Sequence, residues 1–217
     1  MSVQVKICGV TNDWQARACL RAGADAIGLM FYPQSKRFVT DEMAQEICRQ
    51  IAGWITRVGV FVDSSADEII RVVKMCGLET VQLHGSETPQ LAAEVRSHGV
   101  RVVKVLKKTG WALMEEANSF NGCVDSLLVE AVQGELPGGN GEAWDWSGAR
   151  ILSGGMPFAL AGGLTAENVA EAIQASGCDA VDVSSGVEAS PGVKDMNKVM
   201  SFIYKAKSLD VSCRRVF

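Results

Sequence analysis

Short runs of branched apolar residues alternate with amphipathic stretches along nearly the whole chain, and this alternation constrains the fold more than any single motif. Strand patterns fall near Val3–Cys8, Ala26–Met30, Arg57–Val62, Thr80–His84, Arg101–Leu106, Ser126–Glu130, Phe158–Ala161 and Ala180–Ser184. Helical periodicity follows at Asn12–Arg21, Asp41–Ile51, Ala66–Cys76, Pro89–His98, Ala166–Ala175 and Lys194–Lys207. Thr11-Asn12, Thr40, Ser65 and Thr165 stand at helix starts, where a side-chain oxygen can accept from a free backbone N–H. Strands linked through helices make a parallel sheet with right-handed crossovers. Eight strands within 217 residues leave little room for a second domain. No G-x-G-x-x-G loop follows the first strand, so the expected fold is α/β, a single closed (β/α)8 TIM barrel rather than an open doubly wound sheet. One domain is expected over residues 1–217, with residues 211–217 (VSCRRVF) as a loosely ordered tail.

Composition removes several classes of function. A net charge of −4 without a basic, aromatic-interleaved stretch gives no reason to expect a nucleic-acid partner. No apolar run approaches the roughly 20 residues that span a bilayer, and Met1–Lys6 enters a strand pattern without a signal-peptide core. No membrane association and a cytoplasmic location are the resulting expectations. The seven cysteines form no CxxC pair and are odd in number, which argues against a disulfide framework or a zinc site. His84 and His98 are the only histidines, too few for a transition-metal centre, so no metal is expected. The glycine-rich segment Ala131–Gly141 (AVQGELPGGNG) reads as a mobile loop on the C-terminal face of the barrel.

Strand parity locates a candidate site. Alternate side chains of a strand point to opposite faces. In the first strand Val3, Val5 and Ile7 oppose Gln4, Lys6 and Cys8; in the fourth, Val81 and Leu83 oppose Gln82 and His84. The sixth sets Leu127 and Val129 against Leu128 and Glu130, and the last sets Val181 and Val183 against Ala180, Asp182 and Ser184. If the apolar members meet the helices, Lys6, Cys8, His84, Glu130 and Asp182 converge inside the barrel, mostly at strand C-termini, where barrel enzymes build active sites. Buried charges are costly unless paired or functional, and a structural Lys6–Asp182 ion pair is the bland reading of part of this set. The turns after the last two strands, Ala161-Gly162-Gly163-Leu164 and Ser184-Ser185-Gly186-Val187, bring glycines to adjacent strand ends. Their backbone N–H groups can approach an anion closely, as in the recurring phosphate site of barrels, so the expected ligand is a phosphorylated small molecule.

The same segments resemble phosphoribosylanthranilate isomerases. The likeness runs through Lys6–Thr11 (KICGVT), Gly23–Val39 (GADAIGLMFYPQSKRFV), Val58–Val62 (VGVFV) and Val81–Gly85 (VQLHG). It continues in Pro137–Gly141 (PGGNG), Trp144–Trp146 (WDW), Leu160–Asn168 (LAGGLTAEN), Val181–Glu188 (VDVSSGVE) and Ser190–Asp195 (SPGVKD), in family order. The resemblance implies a (β/α)8 barrel without metal or organic cofactor; the sequence leaves monomer and homodimer both open. Its reaction would convert N-(5-phosphoribosyl)anthranilate to 1-(2-carboxyphenylamino)-1-deoxyribulose 5-phosphate, an Amadori rearrangement in tryptophan biosynthesis. Carried over by position, Cys8 would be the general base at C2′ and Glu130 the general acid at the ring oxygen. Arg37 would bind the anthranilate carboxylate, and Gly162, Gly163, Ser185 and Gly186 the phosphate; strand parity, rather than the resemblance, adds His84 and Asp182 as substrate-binding positions. Lys6, on the same face as Cys8, is expected to favour its thiolate. The chain departs from the family at the acid: Leu127–Ala131 (LLVEA) stands where the pattern has Leu-Leu-Leu-Asp-Thr. Glutamate keeps the carboxyl but lengthens its arm by a methylene. Two rival readings are a silent phosphosugar-binding barrel and a metal-free sugar isomerase for a non-aromatic substrate; retention of Cys8 speaks against the first and of Arg37 against the second.

Overall fold

The structure, a computed structural model, describes residues 2–107, 109–130 and 145–217. The loop expected at Ala131–Gly141, and Trp144 beside it, lie outside the described residues. Eight parallel strands, β1 (Gln4–Cys8), β2 (Ala26–Met30), β3 (Thr56–Phe61), β4 (Thr80–Leu83), β5 (Arg101–Leu106), β6 (Ser126–Glu130), β7 (Phe158–Ala161) and β8 (Ala180–Val183), follow one another around a closed barrel. β8 pairs with β1 to complete it, setting Lys6 beside Asp182. Helices α1 (Asp13–Arg21), α2 (Asp41–Ile51), α3 (Ala66–Cys76), α4 (Pro89–Ser97), α5 (Gly110–Ser119), α6 (Val169–Ser176) and α7 (Met196–Lys207) surround the sheet. After β6 the described chain resumes in a 3-10 turn, Trp146–Leu152, and Trp146 packs into the layer between sheet and helices. A short antiparallel hairpin, β9 (Glu188–Ser190) and β10 (Val193–Lys194), follows β8.

Local chemistry sets the helix boundaries. Asn12, Thr40 and Ser65 accept from backbone N–H groups of the first turns of α1, α2 and α3, as their residue types predict. Thr165 behaves differently. Its N–H donates to Oδ1 of Asn168, whose Nδ2 donates to the Gly163 carbonyl, so residues 163–168 form a shaped turn and α6 starts at Val169. The last helix likewise begins later than its periodicity suggests: Lys194 belongs to β10, and Asp195 caps α7 by accepting from the N–H groups of Asn197 and Lys198.

The strand alternation resolves into two separate cores. Val5, Ile7, Leu29, Leu127, Leu160 and Val181 face the helices in one large cluster. Ala26, Val58, Val103, Leu128, Ala159 and Ala180 face inward in a second. Fully burying one such valine, leucine or isoleucine contributes roughly 1.5–3 kcal/mol, so a one-residue slip of any strand would exchange this apolar set for the polar one. The inner layer is rich in alanine, and Val216 and Phe217 complete it. Residues 211–217, expected as a loosely ordered tail, form no helix or strand but are fastened. The Val216 N–H donates to Gln4 Oε1 at 2.7 Å, Ser126 Oγ donates to the Val216 carbonyl at 2.9 Å, and Arg214 pairs with Asp179. Nothing periodic in VSCRRVF signals this, because its partners are strand starts far away in sequence. Among the described residues no helix is long and apolar enough to cross a membrane.

Candidate active site

The site is built from the bottom by β1 and β8. Lys6 is fully buried, and its Nζ donates to Asp182 Oδ2 at 2.9 Å. Burial opposes the ammonium, but Asp182 and the neighbouring Cys8 outweigh it and hold the lysine above its ordinary pKa. At Cys8 the balance falls the other way. Burial pushes the thiol up, and Lys6 counters only part of that shift while Asp182 adds to it. Lys6 therefore favours the thiolate in sign, yet the net direction is toward the thiol, because burial outweighs the lysine's charge and the Asp182 carboxylate adds to it. Opposite Cys8 in the β1–β2 register stands Gly28. A Cβ there would lie 2.7 Å from Cys8 Sγ and 3.1 Å from Lys6 Cε and Nζ, so both side chains occupy the space that this glycine leaves.

Glu130 ends β6 and points inward, as does His84 just beyond β4. His84 Nε2 lies 3.1 Å from Glu130 Oε2, within ion-pair reach though off the line of a hydrogen bond. On the other edge of the ring, Gln82 Nε2 lies 3.1 Å from His84 Nδ1, so the imidazole is held between the amide and the carboxyl. Both side chains are about nine-tenths buried.

Arg37, on the loop between β2 and α2, is held by a residue from the far end of the chain. Its Nε and Nη2 donate to Glu188 Oε1 and Oε2 at 2.8 and 2.7 Å, and Lys194 Nζ donates to the same Oε1 at 2.8 Å. Burial works against the Glu188 carboxylate, but Arg37 and Lys194 hold it below the usual range, and Glu188 in turn raises Arg37. Gly9, at φ 75°, gives the arginine stem its path: a Cβ there would meet Arg37 Cδ. Glu188 occupies one edge of the guanidinium, and among the described residues no partner engages Nη1.

The loops after β7 and β8 complete the mouth. Gly162 and Gly163 adopt φ of 86° and 66°, a region other residues enter at a cost, and a Cβ on Gly186 would lie 1.9 Å from the Leu164 carbonyl oxygen. The two loops thus touch backbone to backbone. A cavity of about 290 Å³ opens at this end of the barrel, and Cys8, Arg37, His84, Glu130, Gly162, Gly163, Asp182, Ser185 and Gly186 all line it. Among the described residues the buried Asp182 Oδ1 has no hydrogen-bond partner, which makes it an acceptor available to a ligand. Among the described residues no group of three or more His, Cys, Asp or Glu side chains is placed to hold a metal ion.

Sequence reasoning did not single out Gly28, Glu188, Lys194 or Asn168. Gly28 was within reach: it shares an inward parity with Ala26 opposite Cys8. Glu188 and Lys194 carried only the signal of two charges on a short turn-rich stretch, and 151 residues separate Glu188 from Arg37.

A closed parallel barrel with a thiol, a carboxyl and two glycine loops around one cavity is the framework of a barrel enzyme for a small anionic substrate. The family model of N-(5'phosphoribosyl)anthranilate (PRA) isomerase matches residues 5–205. An N-(5'-phosphoribosyl)anthranilate isomerase from Desulfatibacillum aliphaticivorans is 46% identical over 222 residues, covering 100% of both chains. Its counterpart from Paramagnetospirillum magneticum is 43% identical over 95% of this chain and 98% of its own. The crystal structure of phosphoribosyl anthranilate isomerase from Thermotoga maritima superposes with a TM-score of 0.88 at 38% identity, over 95% of this chain and 100% of that one. A further structure of such an isomerase, in complex with reduced 1-(o-carboxyphenylamino)-1-deoxyribulose 5-phosphate, gives 0.85 at 36% identity, with coverage of 95% and 100%. The chain belongs to the N-(5'-phosphoribosyl)anthranilate isomerase family.

Proposed function

We propose that this chain carries out its family's isomerisation with Glu130 as general acid and Cys8 as general base, in a single barrel domain. The observation that carries the reading is the meeting of nine residues from distant stretches of the chain around one cavity, with the thiol and the carboxyl rising from different strands. Glycine-loop N–H groups at Gly162, Gly163, Ser185 and Gly186 take the substrate phosphate, and Arg37 presents its free edge to the anthranilate carboxylate. The substrate is thereby stretched across the mouth from both ends. Glu130 then gives a proton to the departing furanose oxygen, and ring opening leaves a protonated imine between C1′ and the anthranilate nitrogen, which keeps its N–H. Cys8, as thiolate, removes the C2′ proton, and the resulting enolamine tautomerises to the ketone. Positioning falls to the groups around this pair: His84 steadies the Glu130 carboxyl, and Asp182 Oδ1 accepts from a substrate hydroxyl or amine.

The longer arm of glutamate is accommodated by its place beside His84, which sets where the carboxyl stops. The enzyme works in the cytoplasm, as a monomer or a homodimer; a Thermotoga maritima relative is described as dimeric. The test is loss of substrate fluorescence when the purified protein meets N-(5-phosphoribosyl)anthranilate made in situ. Turnover is expected, and its absence from well-folded protein would overturn the reading.

A further inference from the structure

We propose that Phe217 is a positioning residue for the reaction: its ring forms the floor of the barrel beneath Lys6 and holds the ammonium against Asp182 and Cys8. The proposal rests on the reading of Cys8 as base. The family match ends at residue 205, so this floor lies beyond the segment that the family model describes. The inner core explains why it is needed. Ala26, Ala159 and Ala180 leave space at a level that barrels ordinarily fill with bulky branched side chains, and Phe217, 1% exposed, occupies it. Its backbone is fixed from below by Gln4, which accepts from the N–H groups of Val216 and Phe217, and by Ser126 through the Val216 carbonyl. Both anchors are the first residues of their strands.

Lys6 Nζ lies 5.7 Å from the centre of the Phe217 ring, inside the range in which a cation is drawn to an aromatic face. That attraction strengthens when water is excluded, and Lys6 is fully buried. The ammonium faces Asp182 from β8, Cys8 from its own strand and the ring below, while Cys8 also feels Lys194 from β10. Without the aromatic face the four-carbon stem can sag toward the floor, taking its charge away from Cys8. The thiolate would then lose the one contact on its own strand that favours it.

The test compares Phe217→Leu, which fills the space without a π face, with Phe217→Tyr, which keeps the ring. Phe217→Leu should lower kcat by roughly tenfold and move the rise of kcat/KM to higher pH. KM should change less than about twofold, because the phosphate loops and Arg37 lie at the opposite end of the barrel. Phe217→Tyr should stay near wild type. If Phe217→Leu does not fold, Phe217→Met is the second non-aromatic filling and is read in the same way. A folded non-aromatic variant with wild-type kcat and pH profile would overturn the proposal and leave Phe217 a mere plug. Failure of the underlying reading would look different: Cys8→Ala would then remain active whatever stands at position 217.

Discussion

Replacing Gly28 with alanine adds one methyl group in the one direction that the site cannot accommodate. The new Cβ would sit 2.7 Å from Cys8 Sγ and 3.1 Å from two atoms of Lys6, whereas ordinary contacts lie at about 3.5–4.0 Å. The backbone of β2 cannot retreat, because Gly28 is paired with β1 on one side and β3 on the other. The thiol must therefore move by about an ångström, and a displacement of that size at a reacting group costs on the order of 100-fold in rate. Overpacking adds about 1–3 kcal/mol of destabilisation. Steady-state kinetics by substrate fluorescence should show kcat reduced about 100-fold with KM little changed, since neither the phosphate loops nor Arg37 touch Gly28. Thermal unfolding should show a folded but less stable protein. A Gly28→Ala variant within about threefold of wild-type kcat would refute the idea that this glycine exists to seat the thiol.

Other perturbations separate binding from chemistry. Arg37→Lys cannot both satisfy Glu188 and present a second pair of donors, so KM should rise about tenfold with kcat nearly unchanged; a fall in kcat alone would contradict the carboxylate role. Gly186→Ala forces a Cβ onto the Leu164 carbonyl and should part the two loops, weakening inhibition by inorganic phosphate as well as raising KM, whereas unchanged phosphate inhibition would remove the phosphate from this site. Because burial raises the Cys8 pKa, labelling of its peptide by iodoacetamide should keep accelerating past the ordinary thiol range near pH 8.5, and kcat/KM should rise with it; a plateau at neutral pH would contradict the buried-thiol picture. The sign for stability follows from linkage. The folded state holds this proton more tightly than the unfolded chain, so the contribution is present below the unfolded thiol pKa and is lost as pH rises through the folded one.

Much of the barrel was legible because its physics is local and periodic. Alternation in β1, β4, β6 and β8 assigned each side chain a face, and the polar members of those strands could only meet inside. The two glycine turns were legible for a related reason, since a backbone that must approach another backbone excludes side chains. What stayed hidden depended on distance or absence. The Arg37–Glu188–Lys194 cluster joins segments that share no periodicity, and Lys194 looked like the opening of a helix. Gly28 acts by lacking a side chain, so its inward parity with Ala26 places it in the barrel without showing what its missing side chain makes room for. The floor made by Phe217 answers to a shortage of volume among Ala26, Ala159 and Ala180 that becomes visible only once the barrel closes. The pKa direction at Cys8 was equally out of reach, because it is set first by how completely the closed barrel buries the thiol.

The most direct test of the acid–base assignment is to compare kcat of Cys8→Ala and Glu130→Gln with wild type, while binding of the reduced product analogue is measured by calorimetry. Each substitution should cost about 10²–10⁴-fold in kcat with affinity for the analogue largely kept, because both remove proton transfer and leave the phosphate loops and Arg37 in place. If either variant turned over within about tenfold of wild type, that residue would not be the proton-transfer group and the assignment of acid or base would be wrong.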